Sequence, residues 1–188
     1  LGGDSLDSND VGKGTFQITS TNIIQYVVMA LFYVIIAKTN SLTPSDLGVL
    51  SILTVFTNIL ALALFGLPTA LTKYISQFTV KGQLKKAAYL QKNITKISII
   101  ISIIGSAVCV FLSSQLSIFF WGNSNKITLI ILIAIEAFFI NLLNLYKSKL
   151  QGLWLFSKMG LITIVYIISS RFVAIFFALI GFGISGVL

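Results

Sequence analysis

Residues 127–146 read Ile127-Thr-Leu-Ile-Ile-Leu-Ile-Ala-Ile-Glu136-Ala-Phe-Phe-Ile-Asn141-Leu-Leu-Asn144-Leu-Tyr146, bounded by Lys126 and Lys147. The stretch has twenty residues, one charge and no proline or glycine. As a helix rising 1.5 Å per residue it is about 30 Å long, the thickness of a bilayer's hydrocarbon core. A run this long and apolar predicts a transmembrane helix. Four more runs have the same character: 18–37, 47–67, 97–119 and 160–182, with the start of a sixth at 183–188. The composition agrees, at 56% hydrophobic and 10% charged residues with a mean hydropathy of +0.99. Soluble domains carry about 25% charged residues, so these apolar side chains must face lipid. The expected fold is an all-α, polytopic transmembrane helix bundle over residues 15–188.

The segments between the runs set the expected organisation. Residues 1–14, rich in Gly, Ser and Asp, predict a mobile cytoplasmic tail, and their aspartates are the wrong charge for a secretory leader. The chain begins Leu1-Gly2-Gly3, as at an artificial boundary or an alternative start codon, and it stops as an apolar run begins, as a fragment would. Asn40–Asp46 has turn chemistry, with Ser45 or Asp46 as the expected cap of the second span. Gly66-Leu-Pro68 should end that span, and Thr69–Phe78 should continue as an interfacial extension. Residues 73–96 hold six lysines and no acid; Gly82 divides them, and the remainder predicts a short helix lying at the headgroups. Ser98, Ser102 and Ser106 recur every fourth residue, a stripe that lets a neighbouring helix come close. Phe119, Phe120 and Trp121 suit an aromatic anchor before the 121–125 turn, and 147–158 reads as a second basic loop.

Lysines give the orientation. With the N-terminus cytoplasmic, inside segments hold Lys13, the six of 73–96, and Lys147, Lys149 and Lys158; outside loops hold only Lys38 and Lys126. This is a strong positive-inside bias, and it predicts a multi-pass protein of the cell (cytoplasmic) membrane. The formal charge of +8 is then topological, and nucleic acid is not an expected partner. Lys73, Lys85, Lys86 and Lys92 are expected contacts for anionic membrane lipid.

Two ionisable residues lie deep in the apolar runs. Glu136 and Arg171 each sit about 15 Å from either end of their helices, near the midplane. A lone charge there costs about 2.5–3.5 kcal/mol on insertion scales. Each therefore needs a partner or water. One reading is a transport cavity, with Arg171 attracting an anionic substrate and Glu136 as counter-ion or proton carrier; the other is a buried pair locking two antiparallel helices. Asn22, Gln25 and Met29 share a face of the first span, Ser51, Thr54 and Asn58 a face of the second, and Asn141 and Asn144 lie in the fourth. Such groups either line a hydrated cavity or glue helices together. The substrate or coupling candidates are thus Arg171, Glu136, Asn22, Gln25, Asn58 and Asn144.

Enzymatic chemistry finds no support. There is no histidine, no phosphate loop and no acidic cluster for a metal, and Glu136 alone cannot supply paired acid–base catalysis. No catalytic residue, metal or cofactor is expected. The lone Cys109 excludes an internal disulfide and reads as a small core residue.

Three stretches carry a resemblance: Ile36-Ala37-Lys38 with Leu42-Thr-Pro44-Ser-Asp46-Leu-Gly48 after the first span, Gly66-Leu-Pro68-Thr-Ala70-Leu-Thr-Lys73-Tyr74-Ile75 at the end of the second, and Tyr146-Lys-Ser-Lys-Leu150-Gln151-Gly152-Leu153 after the fourth. In order and spacing they resemble the N-terminal half of the polysaccharide flippases, in the superfamily of the lipid II flippases and MATE antiporters. The resemblance implies two six-helix lobes around a central cavity, this chain giving most of the first lobe. It implies alternating-access export of an isoprenoid-linked oligosaccharide, with a second transmembrane lobe and the lipid-linked saccharide as partners. Lipid II flippases bear arginines in their first helices. Here the first two spans hold no charge, which leaves that role to Arg171. An ion-coupled multidrug (MATE-type) antiporter and a non-transport membrane scaffold or enzyme subunit stand as alternatives.

Overall fold

The structure, a computed structural model, describes residues 8–39, 42–64 and 66–187, with side chains described from Gly12 onward except at 61–65. Among these residues the regular structure is entirely helical: α1 (Ser8–Lys38), α2 (Pro44–Leu64), α3 (Gly66–Val80), α4 (Leu84–Phe111), α5 (Ser113–Trp121), α6 (Ile127–Gly152), α7 (Phe156–Phe177), a π-helical turn (Ala178–Phe182) and α8 (Ile184–Val187). The chain is an all-α membrane bundle. Four helical stretches, Gly12–Lys38, Leu84–Phe111, Ile127–Gly152 and Phe156–Phe182, are long and apolar enough to cross a bilayer; of the five expected, the second is represented among the described side chains by the shorter apolar stretch Pro44–Leu60.

Several boundaries differ from expectation. The expected tail at 1–14 is helical from Ser8; residues 1–7 lie outside the described ones. Thr43, rather than Ser45 or Asp46, caps α2: its Oγ accepts from the Asp46 N–H (3.3 Å) and its own N–H donates to the Asp46 carboxylate (2.9 Å). This reciprocal capping box leaves Pro44 at the first helical position, where a missing N–H costs nothing.

The lysines of 84–96 do not form a separate headgroup helix. The chain turns at Gly82 (φ +67°), and α4 then runs unbroken for 28 residues, about 42 Å. This exceeds the hydrocarbon core by enough to leave the basic first turns beyond it. At its far end the expected 97–119 span is broken at Leu112, just before the Ser113-Ser114 pair, a sequence that bends helices. The second basic loop also shortens, because Lys147 and Lys149 belong to α6, Lys158 belongs to α7, and only residues 153–155 connect them. After α7 the chain turns at Gly181 and Gly183, both at positive φ, into the single turn α8, where a Cβ on Gly186 would sit 2.8 Å from Phe177 and 2.9 Å from Phe182.

α6 is the central helix, packed by α2, α3, α4, α5 and, less closely, α7, whereas α1 lies chiefly along α7. The close approaches are made by small residues. A Cβ on Gly152 of α6 would sit 2.9 Å from Ile75 of α3, and one on Gly160 of α7 would sit 2.8 Å from the Thr21 hydroxyl of α1. Of the expected serine stripe, Ser98 and Ser102 are buried and the half-buried Ser106 donates from its Oγ to the Ala134 carbonyl of α6 (2.9 Å). Phe32 and Ile36 of α1, Leu50 and Leu53 of α2, Ile133 of α6 and Ala174 of α7 form an apolar cluster that closes one end of the bundle. At the opposite, lysine-rich end, Leu71, Ile75 and Leu145 join α3 to α6, and α1/α7 stand apart from them.

Candidate functional site

The space between α1/α7 and α2/α3/α6 is a cavity of about 880 Å³ at the lysine-rich end. Asn22 and Gln25 come from α1, Asn58 from α2 and Asn144 from α6, so the four candidate amides, from three helices, border one space. Lys73 of α3 and Lys147 of α6 border it too. A deeper cavity of about 350 Å³ shares Gln25, Asn58, Asn144 and Lys147 with the first and adds Met29, Thr54, Tyr166, Glu136 and Arg171. Together they form a polar path from the lysine-rich end to mid-bundle.

α6 supplies the spine of this path. Glu136, Asn144, Lys147 and Gln151 are spaced eight, three and four residues apart, which at 3.6 residues per turn puts them on one face. Glu136 and Arg171 both border the deeper cavity and a further space of about 330 Å³ between α6 and α7, together with Tyr166 and Ser170. The Arg171 guanidinium lies 5.0 Å from the Phe32 ring centroid, and its buried Nε has no hydrogen-bond partner. A cation over an aromatic face gains about 0.5–1 kcal/mol at exposed sites and more as water is withdrawn. The contact places the guanidinium at the inner edge of the apolar cluster that contains Phe32.

Other candidates separate from the cavity. Asn141 borders it, but its amide donates to Ser98 Oγ (3.1 Å) and to Ser102 Oγ on α4, a buried polar clamp between helices. Ser51 is exposed and bonds its own helix at Leu47 O. Lys85, Lys86 and Lys92 are exposed on the first turns of α4 and are not among the cavity residues, whereas Lys73 is. Lys147, Gln151, Thr163 and Tyr166 were not singled out from the sequence as site residues. For the first two the helical spacing from Glu136 and Asn144 was the available signal, obscured by reading 147–158 as a loop.

Residues 41–188 match the family described as "Polysaccharide biosynthesis protein". Neither the curated proteins nor the solved structures contain a match. The match begins after α1, so it covers α2 through α8, including the α6 stripe, Arg171 and the Gly152 contact. A bundle of apolar helices enclosing a polar, cation-bearing path suits a transporter-type membrane protein, and the chain belongs to the polysaccharide biosynthesis protein family.

Proposed function

We propose that the chain is the first lobe of a flippase that moves an isoprenoid-linked oligosaccharide from the inner to the outer leaflet of the cytoplasmic membrane. The carrying observation is the cavity itself. It is wide at the lysine-rich end, is lined by amides and two lysines, and is stopped at the other end by the Phe32–Leu53–Ile133 cluster. The positive-inside bias turns the wide end toward the cytoplasm, where a lipid-linked precursor is assembled. Lys73 and Lys147 offer positive charge to its phosphates, amides pair with sugar hydroxyls, and Arg171 waits deeper. Export requires the apolar end to part, which alternating access against a second lobe provides.

The test is export of lipid-linked saccharide by the full-length protein. Charge-assisted hydrogen bonds are worth about 1.5–3 kcal/mol, so Lys147→Ala should lower export about tenfold or more, and Asn144→Leu should also lower it, while Ser51→Ala leaves it unchanged. Undiminished export in both cavity variants would remove the cavity from the path. A second reading, ion-coupled antiport in the same superfamily, draws support from Glu136 at the inner cavity. It predicts that Glu136→Gln abolishes drug or ion flux.

A further inference from the structure

Two helices of the bundle end in the same way on unlike residues. At the end of α3, Gly82 (φ +67°) donates its N–H to the Thr79 carbonyl (3.0 Å), and Gln83 donates to the Phe78 carbonyl (2.9 Å). At the end of α6, Trp154 (φ +61°) donates its N–H to the Gln151 carbonyl (3.0 Å), and Leu155 donates to the Leu150 carbonyl (2.9 Å). Both are the left-handed helix end that glycine ordinarily fills, because a Cβ crowds the backbone there. Trp154 is the one non-glycine with positive φ among the described residues. A bulky residue held in such a conformation needs a compensating contact. Its indole makes two. Nε1–H donates to Ser76 Oγ of α3 (3.1 Å), and the ring meets Phe156, the first residue of α7, edge to face with centroids 5.7 Å apart. The Phe156 ring in turn fills the space beside Gly14 of α1, where a Cβ would sit 2.6 Å from it.

We propose that Trp154 is a positioning residue for the cavity: pinned to α3 through Ser76, it sets the direction in which α7 leaves the end of α6, and with it the width of the lysine-rich mouth. The mouth lies between Thr72 and Lys73 of α3 on one side and Met159 and Thr163 of α7, with Asn22 of α1, on the other. α1 packs chiefly along α7, and α7 meets α6 far less closely than α3 does. At this end the two walls are therefore joined through residues 153–155 and the row Ser76, Trp154, Phe156 and Gly14. Neither Trp154 nor Phe156 lines the cavity, so the tryptophan acts on a ligand only through the walls it holds. A tryptophan serving as an interfacial anchor alone would need no partner on α3 and no left-handed backbone. The effect on export rests on the flippase reading; the effect on the mouth does not.

Two measurements on the full-length protein test this. In a Cys109→Ala background, which removes the lone native thiol, nitroxide labels on Lys81→Cys and Lys158→Cys, both exposed positions, report the distance across the mouth by pulsed electron paramagnetic resonance. Trp154→Gly, which suits the backbone but removes the indole, should shift or broaden that distance without lowering the thermal midpoint. Ser76→Ala, which removes only the acceptor, should do the same to a smaller extent, and Ser76→Thr, which keeps a hydroxyl, should retain the parent distance. The parent distribution in Ser76→Ala, or in folded Trp154→Gly, overturns the proposal. So does a lowered midpoint with the parent distance, the mark of a tryptophan that only fills space. In transport of a polyprenyl-diphosphate-linked saccharide, Trp154→Gly should raise the half-saturating concentration several-fold and change the maximal rate less. If the unmodified protein exports no such saccharide, the flippase reading falls, and the distance measurement still decides the role of Trp154.

Discussion

Asn141 and Asn144 are three residues apart on one helix and have different work. Asn141 is buried and spends its amide on Ser98 and Ser102; Asn144 borders both cavities. Interhelical hydrogen bonds in membranes average about 0.6 kcal/mol and reach about 1.7. Asn141→Ala should therefore lower unfolding stability in micelles by about 1 kcal/mol, read from a denaturation midpoint, and Asn144→Ala should leave that midpoint nearly in place. Arg171 makes a sharper comparison. Arg171→Lys keeps the charge but loses the guanidinium's contact over the Phe32 ring and its forked donors. A loss of export close to that of Arg171→Ala is expected; full activity in the lysine variant would show that charge alone matters.

Helix ends and helix contacts carry the next predictions. The α2 capping box joins Thr43 and Asp46 by backbone and side-chain hydrogen bonds, and Thr43→Ala should cost about 1 kcal/mol. Asp46 lies ahead of the apolar run, and the hydrogen bonds from the Thr43 N–H and hydroxyl hold its carboxyl below the ordinary value. A carboxyl lowered on folding stabilises above its unfolded pKa, about 3.9, and the gain is lost as pH falls through the folded value. The stability difference between wild type and Asp46→Asn should thus be present near neutral pH and shrink in acid. Where α6 meets α3, Gly152 leaves no room for a Cβ beside Ile75 and the Thr72 carbonyl. Gly152→Ala should destabilise by about 1–3 kcal/mol and weaken the Thr72–Ser148 hydrogen bond across the same contact.

For the whole bundle, the arrangement to test is one closed and one accessible end. Single cysteines at Asn144 and Lys85, in the Cys109→Ala background, should react with a membrane-impermeant maleimide added from the cytoplasmic side of inverted vesicles. A cysteine at Leu53, inside the apolar cluster, should stay unreactive. Labelling of the Lys85 position from the outside of intact cells would reverse the topology. Labelling of Leu53 would mean that the far end is not shut.

The all-α membrane class and the clustering of lysines were legible in residue order alone, because a bilayer imposes an apolar length of about 30 Å and a charge asymmetry that a single helix must satisfy by itself. The family was legible for a similar reason: Gly66-Leu-Pro68 and Gln151-Gly152 are local turns and contacts written in adjacent residues. Which polar groups share a space was decided only in three dimensions. Asn22, Gln25, Asn58 and Asn144 meet because α1 leans on α7 and not on α6. Asn141 is spent because α4 brings two serines to it. Lys147 lines a cavity because α6 outruns its apolar stretch. Periodicity specifies the face on which a side chain stands, and only helix packing specifies what that face meets.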